Sequence, residues 1–224
     1  MDIAALYIGS YLLGSIPTAY IIGRLVRGVD IRSYGSGNVG SANLYEHVGK
    51  RWVFPLAAIE VLVKGALPIW AGLYFLDISR SSALLIGSPL LAIAGNNWSP
   101  FLKLQGGRGI AVTVGTLLAL SPVLLVAFAV IAVGGWRFTK SSGIWVLLSL
   151  AILPLWAYLT YDNLNLVWYC LGLLGIVILK RLSANWTPFP EDVSRKRVLF
   201  NRLVRDRDVS DRTRWVRRIP EGSS

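Results

Sequence analysis

Six apolar runs of membrane-spanning or near-spanning length set the strongest limit on what this chain can fold into. They extend approximately from Ile3 to Val26, Val53 to Leu76, Ala83 to Ala94, Ile110 to Trp136, Ile144 to Tyr161 and Leu164 to Leu179. A helix needs about 20 apolar residues to cross a bilayer, at ~1.5 Å per residue against a ~30 Å hydrocarbon core. Composition agrees: 54% of residues are hydrophobic, only 16% are charged and the mean hydropathy is +0.55, above the roughly 45–50% apolar content of a soluble domain. The first run has neither a basic stretch ahead of it nor a small-residue cleavage site after it, and reads as a retained helix rather than a signal peptide.

The fourth run holds 27 residues and carries "LSPV" from Leu120 to Val123 in its middle. It is either one tilted helix or two shorter ones meeting at Pro122. Charge decides between these. With a break at Pro122, the "RLVRGVDIRSYGSGN", "FLKLQGGRG" and "WRFTK" loops and the basic tail all fall on one side, which is the cytoplasm by the positive-inside rule. The sequence therefore predicts an all-α integral membrane protein of seven membrane helices, with the N-terminus outside and the C-terminus cytoplasmic. Two of the seven, the third and fourth, are short and are expected to end at polar loops inside the protein.

Residues 1–182 form the polytopic domain on this reading, and residues 183–224 a basic cytoplasmic tail. From Lys180 onward, twelve Lys and Arg outnumber six Asp and Glu. Val198, Leu199, Leu203 and Val204 stand near helical spacing, as in a short amphipathic helix. The net charge of +11 is spread between apolar spans and along the tail rather than over one soluble face, which points to anionic lipid or an anionic substrate and away from nucleic acid. A single cysteine, Cys170, and the lack of any His/Cys cluster exclude an internal disulfide and a zinc site. No cofactor or metal is expected.

"GSGNVG" from Gly35 to Gly40 spells the GxGxxG of dinucleotide-binding proteins. That pattern needs a preceding strand, a following helix and an acidic ribose ligand about 20 residues on. Glu60 has the distance but lies within an apolar span, four residues before Lys64, and the loop joins two membrane-length helices. A Walker loop fails as well, because Gly40 is followed by Ser41 and Ala42. Two readings remain: a flexible interhelical loop, or a nest of backbone N–H groups with Ser36, Asn38, Ser41 and Asn43 adding hydrogen bonds to an anion. A second glycine-rich segment, Gly106-Gly107-Arg108-Gly109, immediately precedes an apolar helix and combines unpaired N–H groups with a guanidinium. Its presence on the same face favours anion binding. Glu60 and Lys64, one helical turn apart in an apolar span, are expected to face each other away from lipid, and Glu60 is either a structural partner or a substrate contact.

With "YLLGSIPTAYII", "DIRSYGSGNVGSANLYEHVGK", "KGALP" and "GNNWSPFLKLQGGRGIAV" in this order, the chain resembles the bacterial acyl-phosphate:glycerol-3-phosphate acyltransferases of the PlsY type. The resemblance implies a seven-helix inner-membrane enzyme with three cytoplasmic motifs. The chain departs from the family pattern at Ala42, where Thr is usual, at Glu46 for an Arg, at Asn96 for a His and at Arg108 for a Lys. The third motif is represented by "RLSAN", Arg181 to Asn185, and after an insertion by "NRLVRDRD", which offers Arg202, Leu203 and Asp208.

The same resemblance implies transfer of a fatty acyl group from acyl phosphate to the 1-hydroxyl of glycerol 3-phosphate, forming lysophosphatidic acid. Ser36, Asn38 and Arg108 are the expected catalytic groups, cradling phosphate and carbonyl oxygen together with Gly106, Gly107 and Gly109. Arg32, Lys64, Lys103, Asn43 and Asn185 are expected on the glycerol-phosphate side, with Gly37, Gly40, Asn96, Arg181 and Arg202 as further substrate-binding positions; the two phosphates could exchange places. The only histidine, His47, is expected to be a solvated loop residue, leaving deprotonation to a substrate phosphate. A non-catalytic paralogue that binds phospholipid or regulates a membrane partner is the alternative, and a transporter trails for want of internal repeats. Acyl-chain length and oligomeric state are not encoded in any recognisable feature.

Overall fold

A computed structural model describes residues 2–190 and 193–209. The first apolar run is not one continuous helix. It forms α1 (Ile3–Ser15) and α2 (Thr18–Arg27), broken at Ile16-Pro17 where the proline ring excludes a continuing helical turn. Asp2 caps α1 through Ala5 N at 2.7 Å, and Gly28 ends α2 in the left-handed conformation. After a 3₁₀ turn at Ile31–Ser33 come a short helix, α3 (Ser41–His47), and a second long hydrophobic helix. The latter runs through α4 (Val53–Ala58), a π-helical stretch Ile59–Ala66 and α5 (Leu67–Phe75). Pro68 follows the wide turn and has no N–H to return to the Lys64 carbonyl.

The third run is α6 (Ala83–Asn97), capped by Ser82. The fourth is divided as charge required: α7 (Ile110–Leu120) stops, and α8 (Pro122–Thr139) starts with Pro122 at its first position and Ser121 as its cap. Next are α9 (Ser142–Thr160) and α10 (Leu164–Ser183), and after the tail's first turns α11 (Arg195–Arg205). Among the described residues, five helical stretches are long and apolar enough to cross a membrane, with α1 and α2 together counted as one, and α6 and α7 are shorter apolar helices. No strand occurs among the described residues beyond one bridge, Ser99 with Gln105.

Helix α1 packs on α6, the π stretch on α7, and α8, α9 and α10 pack in series. A Cβ on Gly115 of α7 would collide with the Val61 backbone, and one on Gly65 with the Val112 carbonyl. These glycines let two backbones touch, the way membrane helices associate when lipid offers no hydrophobic advantage. The main core, with Ile93, Leu117, Phe128, Leu153 and Leu173, lies among α6–α10. Within it the Tyr169 and Thr116 hydroxyls satisfy each other at 2.6 Å. Val123, Val126, Val130 and Val133 make an exposed stripe along α8 at the three-to-four-residue spacing of one helix face, as expected of a surface that meets lipid.

Candidate active site

The loop 35–43 is shaped from within. Asp30 caps the 3₁₀ turn by accepting Arg32 N at 3.0 Å, and Gly37 N closes a turn on Tyr34 O at 2.9 Å. Buried Asn43, on α3, donates its Nδ2 hydrogens to Ile31 O at 2.8 Å, Tyr34 O at 3.0 Å and Asn38 O at 3.1 Å. Its amide thus substitutes for backbone pairing that a loop of this curvature cannot make. Ile31, Val39, Leu44 and Leu102 pack beneath it as a small apolar cluster.

The second glycine segment lies alongside. Gly107 N donates to Asn96 O at 3.0 Å, which ties the segment to α6, and Val39 N donates to Gly106 O at 3.4 Å, a backbone hydrogen bond between the two loops. At Gly106 a Cβ would strike the carbonyls of Asn96 and Asn97, which explains why glycine stands there. Gly109, at φ 71°, turns the chain into α7.

Asn185 rivets these pieces together from the end of α10, in a turn whose residues Ala184, Asn185 and Trp186 all have positive φ. Its Oδ1 accepts from Gly106 N at 3.1 Å and Lys180 Nζ at 2.6 Å; its Nδ2 donates to Gly106 O at 3.1 Å, Asn38 Oδ1 at 3.2 Å and Gly37 O at 3.4 Å. Lys180 also donates to Asn97 O, and its ammonium stands 5.5 Å from the Trp98 ring centre. Helix α11 then closes one side. Arg202 bonds Asp208 at 2.6 Å and 3.2 Å, Thr187 O at 2.8 Å and Leu182 O at 3.3 Å; Arg181 bonds Leu203 O at 2.7 Å and Gly143 O at 2.8 Å. Within the tail, α11 buries Val198 and leaves Leu199 exposed, whereas the tail beyond residue 209 lies outside the described residues.

These elements enclose a cavity of about 400 Å³. Ser36, Asn38, Gly40, Ser41 and Asn43 form one wall, and Asn96, Gly107, Arg108, Gly109, Arg181 and Asp206 the other. Glu60 also faces it, and Ile110, Ala111 and Val146 give it an apolar side. Arg108 Nε lies 2.8 Å from Asp206 Oδ1, while its Nη1 donates to Lys180 O at 3.0 Å. Nε and Oδ1 lack an aligned hydrogen bond, so this is a charge contact. Counting buried Lys64 and Lys180 just behind the walls, four cations surround two carboxylates, a balance that favours an anion.

Nine of the sixteen residues expected from sequence therefore share the cavity: Ser36, Asn38, Gly40, Asn43, Asn96, Gly107, Arg108, Gly109 and Arg181. Gly37, Gly106 and Asn185 stand behind the walls as scaffolding. Lys64 opens on a small adjoining void with Asn96, Gly106 and Gly107, and reaches Asn96 Oδ1 at 3.3 Å. Three positions are not brought to the cavity. Arg32 is held by Asp30 at 2.7 Å and by Gln105 at 3.4 Å, Lys103 is exposed in the turn, and Arg202 is buried against Asp208. The Arg32 hydrogen bonds hold the Asp30 carboxyl below the usual carboxylate range. Ser41, expected as part of the anion nest, lines the cavity, whereas Lys180 and Asp206 were not singled out as site residues by sequence. A lysine ending an apolar span reads as a snorkelling group, and an aspartate in "RDRD" as a solvated charge.

Fold and cavity together define a multi-pass helical membrane protein with an anion-suited site walled by two glycine-rich segments. Residues 4–187 match the family model described as glycerol-3-phosphate acyltransferase. Glycerol-3-phosphate acyltransferase 4 of Dehalococcoides mccartyi is 35% identical over 215 residues, covering 93% of this chain and 90% of that one. Glycerol-3-phosphate acyltransferase 5 from another strain of that species is 34% identical over 227 residues, covering 94% and 91%. The crystal structure of PlsY (YgiH), an integral membrane glycerol 3-phosphate acyltransferase, in its glycerol 3-phosphate form shares the fold, with a TM-score of 0.74 at 24% identity over 80% of this chain and 88% of that one. The chain belongs to the glycerol-3-phosphate acyltransferase family.

Proposed function

We propose that the protein moves a fatty acyl group from acyl phosphate to the 1-hydroxyl of glycerol 3-phosphate, releasing inorganic phosphate and lysophosphatidic acid. The observation that carries this reading is the convergence of both glycine-rich segments and Arg108 on one cavity with an apolar side. Acyl phosphate is an activated donor, so the protein needs no covalent nucleophile. It has to hold two phosphorylated head groups, align hydroxyl and carbonyl, and stabilise the charge that develops on the departing phosphate. Ser36, Asn38 and the N–H groups at the start of α7 are suited to phosphate oxygens, and the Arg108 guanidinium adds charge there. The acyl chain leaves past Ile110, Ala111 and Val146, and its burial is worth ~0.8 kcal/mol per CH₂.

The same proposal gives the chain seven membrane helices, counting α6 and α7, with the N-terminus outside and both the cavity and the basic tail of residues 183–224 at the cytoplasmic face of the cell membrane. A C-terminal reporter found outside would sink that topology. Catalysis is tested by supplying purified protein with acyl phosphate and glycerol 3-phosphate and following phosphate and lysophosphatidic acid. Wild type is expected to produce both, and Arg108→Ala and Ser36→Ala to be impaired. Release at the no-protein background by all three would refute the enzyme reading. The Asp206 carboxylate already beside Arg108 favours one alternative, a paralogue that binds phospholipid without turnover; it predicts lipid binding with no product.

A further inference from the structure

A surface helix in water turns its apolar stripe inward and its polar residues out. Helix α11 does the reverse over most of its length. Besides Val198 it buries Asn201 and Arg202, each to 3% exposure, while Phe200 is 58% exposed and Leu199 is also open. The inward polar groups are satisfied, since Arg202 bonds Asp208, Thr187 O and Leu182 O, and Asn201 donates to Asp208 O at 3.3 Å. The outward apolar groups have no such partner among the described residues. Lys196, Leu199, Phe200 and Leu203 stand at i, i+3, i+4 and i+7 and so share one side of the helix, where Leu203 is half-buried and the others are exposed. Exposed Arg195 and Arg197 flank that side.

The helix is seated on the ends of two apolar spans. Arg181, in the last turn of α10, donates to Leu203 O at 2.7 Å and to Gly143 O at 2.8 Å. A Cβ on Gly143, at the start of α9, would strike the Arg205 carbonyl. Exposed Trp136 and Phe138 close α8 beside that start, and exposed Trp186 follows α10. Indoles at span ends mark the headgroup level of a bilayer, so α11 lies at that depth. Its eleven residues include five basic ones and no acid, and the acids that follow, Asp206 and Asp208, are held by Arg108 and Arg202.

We infer that α11 docks on anionic phospholipid, with Leu199 and Phe200 in the boundary between headgroups and acyl chains and Arg195, Lys196 and Arg197 on lipid phosphates. An interfacial helix sinks its apolar side about 5–10 Å into that boundary. The long basic side chains keep their charges at the phosphates while their methylenes lie along the apolar side. The bilayer around α9 and α10 is the partner that these spans already bring within reach of α11, and anionic headgroups supply the charge that its five basic residues lack. On the topology proposed above this is the cytoplasmic leaflet, although the docking does not depend on that assignment. Because Asp206, at the end of α11, stands on Arg108, the same contact braces the charged wall of the cavity.

The test places an environment-sensitive fluorophore on Phe200→Cys in the full chain. The single native cysteine, Cys170, is buried in the main core and leaves the label to that position. The labelled protein is reconstituted in nanodiscs of phosphatidylcholine alone, or of phosphatidylcholine and phosphatidylglycerol in equal parts. It is then quenched by lipids carrying a nitroxide near the headgroup end of the acyl chain, or by aqueous iodide. Quenching by lipid should be stronger in the anionic discs and quenching by iodide weaker, with the difference shrinking in high salt. Each basic residue near an anionic surface is worth about fivefold in partitioning, so Lys196→Gln combined with Arg197→Gln should lower the ratio of docked to undocked α11 roughly 30-fold. Both residues are exposed, so the melting temperature should stay that of the parent. Equal quenching in the two kinds of disc, or a double variant that keeps the response to anionic lipid, overturns the inference. A label shielded from both quenchers is covered by protein, either a second copy or another chain, and overturns it as well.

Discussion

The two walls of the cavity are built in opposite ways. The wall from Ser36 to Asn43 is neutral and shaped mainly from within, by Asn43 bonding carbonyls 5, 9 and 12 residues away, with Asn185 and Gly106 as its outside ties. The facing wall is charged and assembled from distant parts of the chain. Arg108 meets the Lys180 carbonyl 72 residues on, and its countercharge, Asp206, is delivered by α11. A neutral wall made of neighbours needs little from the rest of the fold. A charged wall drawn from remote segments is only as well ordered as the clamps that bring those segments in.

Breaking the clamp should have the largest effect. Arg202→Ala leaves Asp208 buried without its cation, a loss of about 3–5 kcal/mol for a buried pair, and thermal unfolding in detergent should fall accordingly. An unchanged melting temperature would show that the charged wall stands without α11. Next in size is Arg108→Ala, for which kcat should drop about 10²–10³-fold while the melting temperature moves little. Equal activity would mean that the neutral wall carries the phosphate alone. Asn43→Ala tests that neutral wall, and losing its hydrogen bonds should cost about 1–3 kcal/mol and slow transfer by loosening Ser36 and Asn38. A stable, fully active variant would contradict a loop shaped from within.

The smallest effect concerns Asp30, at the root of the loop. Its carboxyl is held below the usual range by Arg32, so its contribution is present above the unfolded value, about 3.9, and is lost as pH falls through the lower folded one. Asp30→Asn should melt slightly below wild type near pH 7, with the gap closing as the pH drops below about 4. A gap that persists in acid would assign the effect to shape rather than charge.

Much of the architecture was legible because it follows from local rules. Hydropathy located the apolar runs and the loop charges required the break that structure places at Pro122, and the structure then shows Asp2, Ser82 and Ser121 capping the helices that follow them. The break at Pro17 follows the same rule but was read through, since a proline inside an apolar run does not by itself say whether a helix bends or stops. In the site, both glycine-rich segments could be found from composition, whereas their union in one cavity could not. Arg32 and Lys103 looked like phosphate ligands by charge and position, yet Asp30 holds the first and the second stays exposed. Asp206, one charge among many in a basic tail, was not singled out by sequence; it lines the cavity where Arg181 and Arg202 bond α11 to α9 and α10.

The amino-acid sequence by itself determined a helical membrane protein, its capped and broken helices, its two glycine-rich segments and its family motifs. Each depends on apolar periodicity or backbone chemistry acting within a few residues. Only the tertiary structure decided that the segments share one cavity, that Asn185 joins them, that Asp206 sits on Arg108 and that Glu60 faces the ligand space. Such pairings across 70 residues or more depend on how helices pack and where a widened turn rotates a side chain. Hydropathy and local propensity say little about either.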